Sequence, residues 1–318
     1  MLFELFIFIK QPKNNTIYSG SYHSNETATG EKEFLGYGPK EDSSFSVSLI
    51  RKNDKVLVFD ALYSFKDGLR TTKNNNTSSN HHISLVGGSH IFGEGLNENQ
   101  TIAHYLNHFS DNAYNISNYG FNGYGTHQAL NVLERKPINN SVVIYYFITD
   151  HISRAAGKAL WDIKGPCYEF ENDSITFKGS FDDNKLIKEN KISKLLKTIW
   201  RHSHFYKSFF DNQYHEKDII RTKEMIKKMN RIATKNNTRF ILLIRDHKDK
   251  NLTKKLNELL YTPLKKSNIE YYYTNEIITD LATNLNDYII IGDGHPNEKY
   301  NKKIAEFLNN KIHQQQND

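Results

Sequence analysis

Two glycine-bordered turns, far apart in the chain, carry the residue types used in nucleophilic catalysis. The first is Gly87-Gly88-Ser89, which follows the apolar run 83–86. Glycines let the backbone turn sharply and leave the serine hydroxyl at the carboxyl end of a strand, where open α/β sheets bind ligands. The second turn contains Asp293 and His295. Serine, histidine and aspartate together are the parts of an acyl-transfer site.

The serine turn taken alone fits no phosphate or dinucleotide motif. It lacks the Gly-Lys-Ser/Thr ending of a P-loop, the three registered glycines of a dinucleotide fingerprint and the glycine two places after the serine of a nucleophile elbow. On this stretch alone, a serine that only caps the following helix is the favoured interpretation. The residues of the histidine turn increase the weight of the alternative interpretation, in which the serine is a nucleophile.

The histidine turn is predicted to connect a strand to a helix. Residues 288–291 are apolar, and apolar positions from Tyr300 to Ile312 recur on one helical face. Pro296 suits the first turn of that helix, so His295 is expected near the positive end of the helix dipole. That position disfavours imidazolium and would keep the ring available as a proton acceptor. Asp293 would hold the ring in one tautomer.

The elements around these turns alternate between strand and helix from residue 83 onwards. Strands are expected at 113–117, 141–148, 240–244 and 269–273, with helices between them, which indicates a parallel sheet covered on both faces. Residues 1–79 are β-rich and are predicted to form an accessory region, with a hairpin of 45–50 and 56–59 in a small antiparallel sheet beside the α/β domain, residues 80–318. A second hairpin, turning at Asn172-Asp173, is predicted as an insertion near 161–181.

These turns, read with residues 118–125 between them, resemble the SGNH (GDSL-type) hydrolases, which are esterases and deacylases. Ser89 matches the first-block serine, Gly123 the second-block glycine, and Asp293 with His295 the last block, over roughly residues 83–312. The resemblance implies a three-layer, flavodoxin-like α/β fold and an esterase acting on a carbohydrate O-acetyl or other short acyl ester, with no metal or organic cofactor.

The resemblance also implies a role for each matched residue. Ser89 would be the nucleophile, His295 the general base and Asp293 its orienting carboxylate. The amides of Ser89 and Gly123 would bind the oxyanion, with Asn122 at the same edge of the sheet.

Two positions depart from the family pattern. Gly88 stands where the family has the aspartate that braces the serine turn. Thr149 stands where the family has an asparagine that donates to the oxyanion, a loss that typically costs about two to three powers of ten in rate. His151 and Arg154 are the alternatives for that donor. These departures leave two other functions open, an O-acyltransferase acting on a glycan and a catalytically inactive binding protein of the cell envelope.

Composition limits the kinds of ligand and partner that the chain is predicted to bind. The 318 residues are 37% hydrophobic and carry a net charge of +6. The basic residues are spread among acidic neighbours and no nucleic-acid-binding motif accompanies them, so nucleic acid is not predicted as a ligand. One cysteine, Cys167, excludes an internal disulfide framework. His81 and His82 lack a spaced partner, so no metal site is predicted. A basic, aromatic stretch at 188–210 is expected to pack on the sheet, with peripheral contact at a membrane surface as the alternative.

The compartment is not decided by these patterns. Residues 2–9 are apolar but far shorter than the roughly 20 residues that span a bilayer, and they lack a basic leader and a cleavage site. A strand is favoured, and a truncated anchor, which would imply association with the cell envelope, is the alternative.

Overall fold

The computed structural model describes residues 16–20, 29–136, 138, 141–183, 214–245 and 250–314. Within these ranges no helix combines the length and apolar character needed to cross a membrane. The apolar stretch 2–9 and the basic, aromatic stretch 188–210 lie outside the described residues, and both remain predictions.

Thirteen strands are present in the described residues. In chain order they are β1 (Thr16–Gly20), β2 (Thr29–Lys32), β3 (Gly36–Pro39), β4 (Ser44–Arg51), β5 (Leu57–Lys66), β6 (Leu69–Arg70), β7 (His82–Gly87), β8 (Asn115–Asn118), β9 (Ser141–Phe147), β10 (Pro166–Glu171), β11 (Ser174–Ser180), β12 (Arg239–Ile244) and β13 (Glu270–Tyr273).

The helices of the same part of the chain mostly lie between these strands. They are α1 (Ser89–Phe92), α2 (Ile102–Phe109), α3 (Thr126–Arg135), α4 (Asp150–Ala155), α5 (Glu216–Lys235), α6 (Lys250–Leu256), α7 (Thr262–Lys265), α8 (Thr274–Ile277) and α9 (Glu298–Gln314). A π-helical turn, Asn257–Tyr261, joins α6 to α7.

A central parallel sheet confirms the predicted α/β fold. The sheet has the order β1-β4-β5-β6-β8-β7-β9-β12-β13, and its part from β8 to β13 is parallel throughout. Side chains of β9 alternate between the two faces. Val143, Tyr145 and Phe147 enter the core with α3 and α5, whereas Val142, Ile144 and Tyr146 enter the core with α2 and α9. Helices on both faces make three layers.

The N-terminal strands continue this sheet instead of forming a separate one. The predicted hairpin is confirmed as β4 and β5, and the short strand β6 pairs with β5 on one side and with β8 on the other. Aromatic side chains of β4 and β5 form a third core that reaches across to Phe92 and Phe121. The hydrogen-bonded sheet therefore crosses residue 79, and the division into two domains stays a prediction.

The hairpin predicted near 161–181 is present as β10 and β11, and its description as an insertion in the α/β domain stays a prediction. Strands β10 and β11 pair antiparallel around Asn172 and Asp173, whose φ angles of 49° and 57° are the left-handed values that a two-residue hairpin turn requires. Tyr168 and Ile175 are buried against the core formed with α3 and α5. The hairpin therefore covers one helical layer.

The late apolar run 288–291 is not a strand, so that prediction is wrong. Its only ladder contact is an isolated bridge between Ile289 and Pro296, and α9 begins at Glu298. Tyr288 packs in the core with α9, and Ile290 packs against the N-terminal strands, whereas Ile291 is 68% exposed. The run is apolar because Tyr288 and Ile290 anchor a loop in two different cores. A hydrophobic pattern alone does not distinguish such a loop from a strand.

Candidate active site

Ser89 lies at the carboxyl edge of the parallel sheet, as predicted. It follows β7 directly, is the first residue of α1, and is 6% exposed. Helix α1 ends after one turn at Gly93, whose left-handed conformation stops the helix. The turn is held by Asn118 of the neighbouring strand β8, whose side-chain amide donates to the carbonyl of Ile91 over 3.0 Å.

The three residues predicted to do chemistry are in hydrogen-bond contact. His295 Nε2 lies 2.9 Å from Ser89 Oγ, although the two residues are 206 positions apart in the chain. His295 Nδ1 lies 2.6 Å from Asp293 Oδ2, which also accepts the backbone N–H of His295 over 3.2 Å. The imidazole bridges a hydroxyl and a carboxylate, which is the arrangement of a serine nucleophile with its base and orienting acid.

The loop that carries Asp293 and His295 is closed on itself. Ile290 N–H donates to the His295 carbonyl over 2.8 Å, and the Ile290 carbonyl accepts from Asp293 and Gly294 at 3.1 and 2.8 Å. Asn297 caps α9 by accepting the Tyr300 N–H over 3.1 Å. His295 therefore precedes the helix cap by two residues, and the predicted place of Pro296 in the first helical turn is wrong. Asp293 and the loop, not the helix terminus, orient the ring.

Asn122 and Gly123 lie in a turn at the same edge, and Asn122 is held from two sides. Tyr37 donates its hydroxyl to the Asn122 carbonyl over 2.8 Å, and the Asn122 side-chain amide donates to the Glu94 carboxylate. Gly123 has φ +80°, and a β-carbon there would lie 2.7 Å from the indole nitrogen of Trp161. The turn therefore requires glycine.

Two amides in this region have no acceptor. Among the described residues, neither the Ser89 N–H nor the Gly123 N–H donates to a backbone or side-chain group. Unpaired backbone N–H groups are rare in buried positions. These two amides are the ones that the family resemblance implies for an oxyanion, and that role stays a prediction.

Glu94 was not predicted as a site residue. It is 3% exposed, its Oε1 has no partner within the described residues, and burial raises its pKa to about 7, an effect that His295 and the hydrogen bond from Asn122 oppose. The sequence offers no chemical signal for it, because Gly93-Glu94-Gly95 reads as an ordinary turn. Through Asn122, Glu94 connects the serine turn to the Gly123 turn.

The three candidates for a further oxyanion donor lie on or beside α4. Thr149 is buried and directly precedes α4. His151 Nδ1 lies 2.9 Å from the Tyr145 hydroxyl, and its Nε2 has no partner in the part of the chain described. Burial and the neighbouring Arg154 guanidinium hold the pKa of His151 well below its usual range, so the ring is neutral. The choice among Thr149, His151 and Arg154 stays a prediction.

The structure explains how the serine turn does without an aspartate at position 88. A β-carbon on Gly88 would lie 2.9 Å from His151 Nε2 and 3.2 Å from a guanidinium nitrogen of Arg154. Arg154 in turn donates to the Tyr124 carbonyl over 2.9 Å. The space that a side chain at position 88 would need is thus filled by His151 and Arg154, and Arg154 ties α4 to the Gly123 turn.

His90 and Arg245 are two further residues at this edge that were not predicted. His90 follows Ser89, is 8% exposed, and its ring centre lies 5.6 Å from that of His295. Arg245 directly follows β12, and its guanidinium contacts His90 Nε2. A signal for Arg245 was available, because a polar residue directly after a buried parallel strand lies at the ligand-binding edge.

No metal centre is evident in the described residues, where no three His, Cys, Asp or Glu side chains are grouped to hold an ion. The candidate site therefore consists of a hydroxyl, an imidazole, carboxylates and backbone amides.

No protein-family model matches the chain, and no curated protein matches it. Solved structures are similar to it at low identity. One is a protein described as lipolytic and of the G-D-S-L family from Desulfitobacterium hafniense DCB-2, 14% identical over 73% of this chain and 99% of its own, with a TM-score of 0.42. Another is the psychrotrophic esterase EstA from Pseudoalteromonas sp., 11% identical over 75% of this chain and 100% of its own, with a TM-score of 0.41.

A third similar structure is a carbohydrate esterase, 11% identical over 96% of this chain and 94% of its own, with a TM-score of 0.42. At such identities and TM-scores the likeness assigns no role to any residue of this chain. The three structures are described as a lipolytic protein, an esterase and a carbohydrate esterase.

Proposed function

We propose that this protein is a serine hydrolase of the SGNH type that cleaves a carboxylic ester. One observation carries the proposal: His295 lies within hydrogen-bond distance of both Ser89 Oγ, at 2.9 Å, and Asp293 Oδ2, at 2.6 Å. Ser89 and His295 are 206 positions apart in the chain, and both contacts have the length that proton transfer needs. Intact contacts of this kind favour a hydrolase over an inactive binding protein.

The chemistry proceeds in two halves. Ser89 Oγ attacks the ester carbonyl carbon while its proton passes to His295 Nε2, and Asp293 stabilises the imidazolium that forms. The negative charge on the carbonyl oxygen is bound by the amides of Ser89 and Gly123. Collapse of this intermediate breaks the bond to the leaving alkoxide, which takes the proton from His295. Water, deprotonated by His295, then attacks the acyl-enzyme and releases the acid and Ser89.

The substrate we propose is a carbohydrate O-acetyl or other short acyl ester. Trp161 favours a substrate whose alcohol part is a ring, because Trp161 is 61% exposed and its indole lies directly beside Gly123. An exposed indole presents a flat, largely apolar surface with one polar N–H, which suits a sugar ring better than an unbranched chain.

A serine-directed fluorophosphonate probe tests the proposal. The wild type should be labelled and Ser89→Ala should not, because the probe reacts only with an activated hydroxyl. His295→Ala should slow labelling by about three powers of ten or more, since the base is lost but the hydroxyl remains. Mass spectrometry of the labelled peptide measures both effects.

Ser153→Ala is the matched control, because Ser153 lies on α4 and donates its hydroxyl to the Asp150 carbonyl at 2.9 Å, away from His295. Its labelling should equal that of the wild type. Labelling of Ser89→Ala at the wild-type rate would disprove the proposed nucleophile.

A further inference from the structure

The described surroundings of Ser89 are rich in positive and proton-donating groups. His90 and Arg245 lie on one side of the serine, and His151 and Arg154 lie against Gly88 on the other. The carboxylates nearby are already engaged, Asp293 by His295 and Glu94 by Asn122. Two guanidinium groups, those of Arg245 and Arg154, therefore lie close to the serine turn.

Arg245 is the exceptional cation of this group. Its side chain is partly buried, and no carboxylate of a described residue lies within 4 Å of it. Arg239, at the other end of the same strand, instead binds both carboxylate oxygens of Glu270 at 2.7 and 2.6 Å. A guanidinium that is partly removed from water without a counter-ion is unfavourable unless an anion binds it.

His90 accepts a hydrogen bond from Arg245 and so holds its guanidinium in place. Burial and the Arg245 guanidinium hold the pKa of His90 well below its usual range, so the ring is neutral and its Nε2 accepts from Arg245. The proton is then on Nδ1, which is buried and has no acceptor among the described residues. Because Nδ1 points away from Arg245, the arginine fork is the donor suited to a carboxylate or a phosphate.

Arg245 is also in the right place for a substrate group. It follows β12, which lies beside β9, which in turn lies beside β7, the strand that leads into Ser89. All three strands are parallel, so their carboxyl ends share one edge of the sheet. An anion bound by Arg245 would therefore be part of a molecule that reaches Ser89.

We infer that Arg245, which is held by His90, forms an anion-binding subsite, and that the ester substrate carries a negatively charged group next to the acylated hydroxyl. This inference rests on the proposed hydrolase function and names its substrate class: an acylated acidic sugar, with a carboxylate or a phosphate as the anion. The net charge of +6 would assist the encounter with such substrates.

Matched sugar esters test the inference. Acetylated methyl glucuronoside and acetylated methyl glucoside, with the acetyl group on the same hydroxyl, differ only by a carboxylate in place of a hydroxymethyl group. The wild type should hydrolyse the glucuronoside with a kcat/KM at least about tenfold higher. Arg245→Gln should remove that preference, and Arg245→Lys should retain part of it, because lysine keeps the charge but not the fork. Arg231→Gln, an exposed charge on α5, is the control and should keep the preference.

Two results would overturn the inference. One is a wild type without preference for the glucuronoside. The other is an Arg245→Gln variant that loses the same factor on both esters, which would mean that Arg245 stabilises the oxyanion or the fold. Thermal unfolding of each variant distinguishes a role in oxyanion stabilisation from a role in the fold, because only the loss of the second lowers the melting temperature.

Protection of Ser89 from the fluorophosphonate probe gives a readout that does not need turnover. Glucuronate or glucose phosphate should protect the wild type at lower concentrations than glucose, and Arg245→Gln should abolish the difference. The more effective of the two anions identifies the source of the charge. Equal protection by glucose and by both anions contradicts the inference, whereas absence of labelling at Ser89 contradicts the proposed function itself.

Discussion

At the scale of single residues, Glu94 shows how burial of an acid close to His295 and Asp293 affects the stability of the fold. Its folded-state pKa of about 7 lies above the ordinary value of 4.5. The folded protein thus binds a proton that the unfolded chain has already released between these two values, so stability falls as the pH rises from 4.5 to 7. Ionised Glu94 is the costly form.

We expect Glu94→Gln to remove this pH dependence. The amide oxygen of glutamine can still accept from Asn122, and no charge is buried. The difference in unfolding free energy between variant and wild type should move in favour of the variant by up to about 3 kcal/mol as the pH rises from 4.5 to 8. Chemical denaturation at several pH values measures it.

Glu298→Gln provides a control of opposite sign. Hydrogen bonds from Tyr105 and Gln100 hold the pKa of Glu298 below its usual range, so its ionised form stabilises the fold and this contribution is lost as the pH falls. The Glu298 variant should therefore lose stability relative to the wild type as the pH rises. A Glu94 variant that behaved in the same way would show that the Glu94 carboxylate is stabilised by its surroundings.

The sequence predicts those site residues whose type and flanking glycines indicate a chemical role. It does not predict residues whose role depends on neighbours from other parts of the chain. Ser89, Asp293 and His295 were identified because glycine-bordered turns frame them. Glu94 and His90 were not, since a glutamate between glycines and a histidine after a serine have no distinctive spacing. Their roles arise only when the turns after β7 and β8 and the loop before α9 meet.

At the scale of elements, the loop 288–297 positions both Asp293 and His295, and its contact with Gly95 fixes its place. Gly95 has φ +74°, and a β-carbon there would lie 2.6 Å from Ile290 Cδ1 and 2.9 Å from Phe59. The loop therefore packs directly on the backbone of the serine turn.

Gly95→Ala should displace Ile290 and, with it, the histidine. We expect kcat/KM to fall by about two powers of ten, because displacements near 1 Å have effects of that size on catalysis. Steady-state hydrolysis measures the loss. Gly68→Ala is the control, since Gly68 has a similar φ of +72° but its nearest neighbour, Lys32 Nζ, is 3.4 Å away. Equal activity losses in both variants would attribute the effect to backbone strain alone.

Strands and helices were predictable where the hydrophobic pattern of the sequence matches the way in which the element packs. Helix α3 lies between β8 and β9, where the alternation of strands and helices predicts a helix, and the two hairpins are predicted from turn residues between β-forming runs. The run 288–291 was mistaken for a strand because its apolar residues serve two different cores, one with α9 and one with the N-terminal strands. Nothing in a local pattern reports which neighbours a side chain will find.

At the scale of the whole molecule, Arg70 joins the N-terminal strands to the serine turn. It is 3% exposed, one guanidinium nitrogen donates to the Gly93 carbonyl over 3.0 Å, and the other donates to the Leu96 carbonyl over 2.5 Å. Its guanidinium also lies over the rings of Tyr63 and Phe92. Burial lowers the pKa of Arg70 to about 10, so it stays charged at neutral pH.

Arg70→Met should destabilise the protein by about 3 kcal/mol or more, because two buried carbonyls lose a charged donor. The wild type should unfold in one transition, because the sheet and the aromatic core are continuous between the N-terminal strands and the α/β part. Denaturation followed by circular dichroism and tryptophan fluorescence tests both points. Arg51→Met, an exposed residue paired with Asp54, should change stability little. Separate early loss of the N-terminal strands would instead support two independent domains.

The general architecture was predictable because alternation of strands and helices leaves few arrangements. The continuity of the sheet was not, because it depends on β6, which has only two residues. A strand of that length has no periodicity to detect.

Helix α9 has one more consequence. It is pinned to α2 by hydrogen bonds from Asn309 to the Phe109 carbonyl and from Tyr105 to Glu298, and the histidine loop precedes it directly. The contact between His295 and Ser89 is therefore expected only in molecules whose last described helix has docked. Recovery of turnover after dilution from denaturant would report that docking event, which the far-ultraviolet spectrum of the refolding chain does not resolve.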